Sequence, residues 1–138
     1  RRWQVSTLTD VIVAGVAICW MASHKGLLVP GQNQTVGQSA YTMIHPGLSN
    51  DLDYPDLASI ACPKPMLFYN GLQDGLFPVP SVEASYARMR AVWESQGAGD
   101  RLVTKLWDVP YEFNAEMQEE AFAWLDGYMG VGEAGGGP

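Results

Sequence analysis

The residues most able to do chemistry in this sequence lie in two short stretches of its second half. The first is Gly71-Leu72-Gln73-Asp74-Gly75-Leu76-Phe77-Pro78. It follows the apolar run Pro65-Met66-Leu67-Phe68-Tyr69-Asn70, so Asp74 stands just past the end of a strand. Open parallel α/β sheets bind their ligands at that edge, and a carboxylate placed there can orient a general base. Asp beside Gly is also ordinary turn chemistry, in which the side chain only caps its own loop. The second stretch, Trp107-Asp108-Val109-Pro110-Tyr111-Glu112-Phe113-Asn114, closes the next strand and leads directly into a helix. Outside these stretches stand two histidines, His24 and His45, and two cysteines, Cys19 and Cys62. Two cysteines make neither a disulfide framework nor a metal cluster, and both read as small apolar core residues. Ser39 and Ser49 each follow a Gly-x pair but lack the second glycine of a Gly-x-Ser-x-Gly elbow and the strand before it. No such elbow occurs in the sequence.

The elements that must position these residues follow from hydrophobic patterning. Arg1 to Leu8 reads as the end of a helix. Val11 to Trp20 is a continuous β-branched run rather than an alternating one, as expected of a parallel strand covered on both faces. From Met21 to Tyr54 the pattern loosens into a long, lid-like excursion broken by Gly and Pro, of the kind that often binds ligands. Pro55 opens a short helix through Ile60, and Pro65 to Gly71 forms a second strand. Ser81 is placed to cap a helix whose apolar positions Val82, Tyr86, Met89 and Trp93 step by four, three and four. Arg101 to Val109 is a third strand. Asn114 is placed to cap a last helix with the stripe Met117, Ala121, Trp124 and Tyr128. Gly130 to Pro138 is a Gly-rich tail expected to be disordered. The order is α/β, with parallel strands joined by right-handed crossovers.

On these residues the chain resembles the C-terminal part of the dienelactone-hydrolase-like and acetyl-xylan-esterase-like α/β-hydrolases. The likeness is carried by Lys64-Pro65-Met66-Leu67-Phe68, by the Gly71 to Pro78 turn, and by Glu112-Phe113-Asn114 leading to Glu116-Met117-Gln118-Glu119. Ile18-Cys19-Trp20-Met21 and Asp53-Tyr54-Pro55-Asp56 add to it. The resemblance implies a partial α/β-hydrolase fold over residues 1–129, with three parallel strands and flanking helices, completed by another chain or by oligomerisation. It places Asp74 on the triad acid and Tyr111 where the family carries its histidine. It implies that His24 and His45, in the loop over the site, together with Trp20 and Phe77, touch a substrate. A phenol with a pKa of ~10 is protonated near neutrality and cannot replace imidazole as the base. Losing one triad member can lower turnover by about 10⁴ to 10⁶.

The resemblance therefore implies a portion of a serine-type carboxylic-ester hydrolase, without its nucleophile or histidine and inactive alone. The alternative is a non-catalytic oligomeric binding or structural module derived from a hydrolase. The expected partners are a second copy of the chain or a complementary hydrolase N-terminal half, with a small ester as substrate if complemented. No metal and no organic cofactor is required. Composition narrows the field further. Over 138 residues the apolar fraction is 47% and the net charge −7, which is a globular composition and argues against a nucleic-acid partner. No apolar run reaches the ~18 residues of a membrane span, and a cytoplasmic location is the default expectation.

Overall fold

A computed structural model of the chain describes residues 7–28, 47 and 50–130. His45, most of the excursion, residues 1–6 of the expected N-terminal helix and the tail beyond Gly130 lie outside the described residues. Three strands form one parallel sheet in the order β1 (Gly15–Ile18), β2 (Met66–Gly71), β3 (Leu102–Trp107). The register runs Gly15 to Met66 and Met66 to Leu102, so all three strands end on the same edge.

β2 is central, and every one of its residues is buried. That explains why its sequence is a continuous apolar run rather than an alternation. Its side chains divide between two faces. Met66 and Phe68 enter a core with Val82, Tyr86, Met89 and Trp93 of helix α3 (Val79–Ser95), the four-three-four stripe seen in the sequence. Leu67 and Tyr69 enter a smaller core with Trp107 and with Met117 and Ala121 of helix α4 (Ala115–Met129). On α4 the predicted stripe runs out, since Trp124 is half-buried and Tyr128 exposed.

Among the described residues between β1 and β2 stand the short helices α1 (His24–Leu27) and α2 (Tyr54–Ser59). Asp53 caps α2, accepting from Tyr54 N, while Asp56 reaches back to Asp53 N at 2.9 Å. Arg88 of α3 pairs with Asp56 at 2.6 Å, which ties α2 to α3. Asn114 caps α4 as expected, its side chain accepting from Met117 N at 3.1 Å.

Two expectations are corrected. The first strand is shorter than the Val11 to Trp20 run, because β2 offers no partner before Met66; Val11 is 88% and Val13 63% exposed. Ser81 does not cap α3, which begins at Val79 with Pro78 before it and no side-chain cap. Its hydroxyl instead accepts from Ser23 N at 2.9 Å and meets the Ser23 hydroxyl at 2.9 Å. The loop after β1 is thereby fastened to α3.

Candidate active site

Parallel strands deliver their following loops to one edge, and here those loops are stitched together. Leu72 N donates to Trp107 O at 2.8 Å and Gln73 N to Val109 O at 3.1 Å. Gln73 Nε2 donates to Asp108 Oδ1 at 3.0 Å. Gly71 makes this approach possible: a Cβ there would lie 2.3 Å from Val109 O and 2.6 Å from Pro110 O. The turn carrying Asp74 is thus pressed against the turn carrying Tyr111.

Asp74 is only 5% exposed. One carboxylate oxygen, Oδ1, accepts from Leu76 N at 2.8 Å. The other, Oδ2, is buried without a hydrogen-bond partner. Burial pushes the carboxyl above its ordinary pKa, and the Leu76 N–H pulls partly back. The local turn role is therefore real but uses only half of the group.

Beside it stands Cys19, 3% exposed, at the end of β1. Its φ of 51° is in the left-handed region that non-glycine residues rarely adopt. The thiol donates to Glu112 O at 3.4 Å. Burial, and next the Asp74 carboxylate, raise its pKa, so it is held as a protonated thiol. Ile18, Cys19, Tyr111, Glu112 and Phe113 line a cleft of 390 Å³. Tyr111, at 59% exposure, stands at this cleft rather than in the core.

The remaining predicted contacts fall elsewhere. Trp20 packs edge-on against Tyr54, with centroids 5.0 Å apart, and tilts against Phe77 at 6.0 Å. Phe77 is 1% exposed and belongs to the α3-side core. His24 also leans on Tyr54, at 5.8 Å, while its backbone N donates to Asp53 Oδ1 at 2.6 Å. His24 opens on a second cleft of 250 Å³, lined by Lys25, Asn50, Asp51, Leu52, Asp53 and Asp56, and not on the cleft at Tyr111. Trp20 therefore joins Phe77 to Tyr54, Tyr54 joins His24, and none of Trp20, His24 and Phe77 lines the cleft at Tyr111.

One buried polar contact on β2 was not expected from the sequence. Asn70 is buried in β2, and its Oδ1 accepts from the Tyr86 hydroxyl at 2.8 Å. An amide inside an otherwise apolar strand was the available signal. Among the described residues no group of three or more His, Cys, Asp or Glu is arranged to hold a metal. Nor is any helix among them long and apolar enough to cross a membrane.

No protein-family model matches the sequence. YtaP of Bacillus subtilis (strain 168), whose name places it among the hydrolases without stating a reaction, is 26% identical over 98 residues; the match takes in 71% of this chain and 32% of YtaP. A carbohydrate esterase family 15 glucuronoyl esterase from Caldicellulosiruptor kristjansonii superposes with a TM-score of 0.71 at 15% identity, over 94% of this chain and 40% of that one. Methylesterase BT1017 superposes at 0.62 and 15% identity, over 93% of this chain and 28% of that one. The chain spans about a third of the relative's length. What it shares with these proteins is architecture: its three parallel strands and flanking helices are a portion of an α/β-hydrolase fold.

Proposed function

We propose that this chain is the acid-bearing portion of a carboxylic-ester hydrolase, in which Asp74 serves to orient and charge a general base held in the turn after β3. The observation that carries this reading is Asp74 itself. One oxygen is fixed by its own turn and the other is buried without a partner, on a loop bonded to the loop where the base belongs. A carboxylate so held suits a neighbouring N–H that becomes cationic during reaction. The substrate class is a small carboxylic ester, of which the glucuronoyl and methyl esters in the names of the structural neighbours are examples. The chemistry calls for no metal or organic cofactor. With Tyr111 at the base position and no Gly-x-Ser-x-Gly in the sequence, the chain alone does not turn over ester. A complementary hydrolase segment supplies the nucleophile.

A second reading is favoured by one observation. A phenol at 59% exposure stands where the base would be, which suits a non-catalytic module that assembles through the edge of its sheet. Assay of p-nitrophenyl acetate hydrolysis separates the two. The isolated chain should show none above a heat-inactivated control. Adding a polypeptide that carries the nucleophile elbow to the Tyr111→His variant should restore turnover, and Asp74→Ala should remove it again. Strong turnover by the unmodified chain that disappears in Asp74→Ala would overturn the assignment of the base position. Failure of every complemented pairing to turn over ester would favour the non-catalytic module.

A further inference from the structure

Four side chains with polar or thiol groups, on β2, on α3 and just past the ends of β1 and β2, are buried: Asn70 at 1% exposure, Tyr86 at 2%, Cys19 at 3% and Asp74 at 5%. Tyr86 donates its hydroxyl to Asn70 Oδ1, Tyr86 lies within electrostatic reach of Cys19, and Cys19 lies within reach of Asp74. Two atoms of this group have no hydrogen-bond partner, Nδ2 of Asn70 and Oδ2 of Asp74. They are complementary, since the carboxamide nitrogen only donates and the carboxylate oxygen only accepts. They lie four residues apart across one turn, in which Asp74 N donates to Gly71 O at 3.3 Å.

Native interiors rarely leave such a pair unmade, and buried polar atoms too far apart to bond directly are commonly joined by an internal water. We propose that Asn70 is a positioning residue for Asp74, joined to it by one buried water that accepts from Asn70 Nδ2 and donates to Asp74 Oδ2. Tyr86 sets the direction of the carboxamide by holding its oxygen. A carboxylate oxygen has more than one lone-pair site, so the water leaves Oδ2 able to receive the N–H of a base. This rests on the proposed role of Asp74 only for its meaning in catalysis. The bridge itself is a property of the buried group.

Carboxyl-carbon NMR titration of the full chain tests the bridge. A donor removed from a carboxylate disfavours its ionised form, so Asn70→Leu should lower the acid dissociation constant of Asp74 by about three- to tenfold. Tyr86→Phe, which keeps the amide but frees its orientation, should shift it the same way and less. In the unmodified protein the Asn70 side-chain amide protons should show a nuclear Overhauser contact to a long-lived water. An Asp74 titration unmoved in a folded Asn70→Leu variant would overturn the proposal. Absence of the water contact in the unmodified protein would do the same even if the variant does not fold. Neither result bears on whether Asp74 serves a base, which the exchange at Tyr111 tests separately.

Discussion

Two carboxylates in this molecule, one on α4 and one in the loop after β2, have been given opposite surroundings. Glu120 on α4 accepts from Lys105 at 2.6 Å through one oxygen and from the Tyr69 hydroxyl at 2.5 Å through the other. Its pKa is lowered, first by Lys105 and then by Tyr69. Lys105 in turn sits 3.5 Å over the Trp107 ring. Both oxygens of Glu120 are satisfied, and the Lys105–Glu120 pair is partly in water, the arrangement of a surface contact that holds an element in place. Among the described residues Asp74 has no ion-pair partner, and it has one oxygen unpaired and a raised pKa. A fold that only needed a cap for the turn would leave the second oxygen in solvent. Sealing it instead at the strand edge is the arrangement of a group waiting for a donor.

The comparison breaks most severely at Gly71. In Gly71→Ala a Cβ meets two backbone carbonyls of the partner turn, so the turns after β2 and β3 must part. Thermal or chemical denaturation should show a loss of about 1–3 kcal/mol. The Asp74 carboxyl should then titrate closer to the ordinary aspartate range as water enters. A variant with full stability would mean that the two turns are not held together as described.

Neutralising each carboxylate sharpens the contrast at smaller cost. Asp74 has its folded pKa raised, so the stability it contributes is present below its unfolded pKa and is lost as pH rises through the folded value. Asp74→Asn should therefore be more stable than the unmodified chain at pH ~7, by ~1 kcal/mol, with the gain fading as pH falls into the ordinary carboxylate range. Glu120 has its folded pKa lowered, so its stability is present above the unfolded pKa and is lost as pH falls through the folded value. Glu120→Gln should be less stable at pH ~7 by about 0.2–1 kcal/mol, since the pair is exposed, and equal in acid. Melting curves across pH 3 to 8 read both signs in one series, and like signs for the two variants would erase the contrast.

Much of this arrangement was legible in the amino-acid sequence. The unbroken apolar run of β2, the spacing of Val82, Tyr86, Met89 and Trp93, and Asn114 ahead of α4 each state a local physical requirement that the fold then meets. Asp74 was legible for the same reason, because a strand that must end names the residue at its mouth. Val11 and Val13 misled because apolarity records a need for burial without saying what provides it, and β2 starts too late to provide it. Ser81 misled because a hydroxyl near a helix start serves equally as a cap or as an anchor for Ser23. The pairing of Asn70 with Tyr86 joins residues on a strand and a helix, and spacing along a chain does not reveal such a contact. The separation of His24 from the cleft at Tyr111 likewise depends on Asp53 and Tyr54 of the α2 region, which hold the His24 backbone and ring.

The most direct test of the acid assignment is the titration of an imidazole installed at the base position. In Tyr111→His, followed by proton–nitrogen NMR, the introduced ring should titrate well above the ordinary histidine value of ~6.5, because the Asp74 carboxylate favours its cationic form. The same exchange combined with Asp74→Asn should return it to the ordinary range. An imidazole that titrates identically with and without the Asp74 carboxylate would contradict the account.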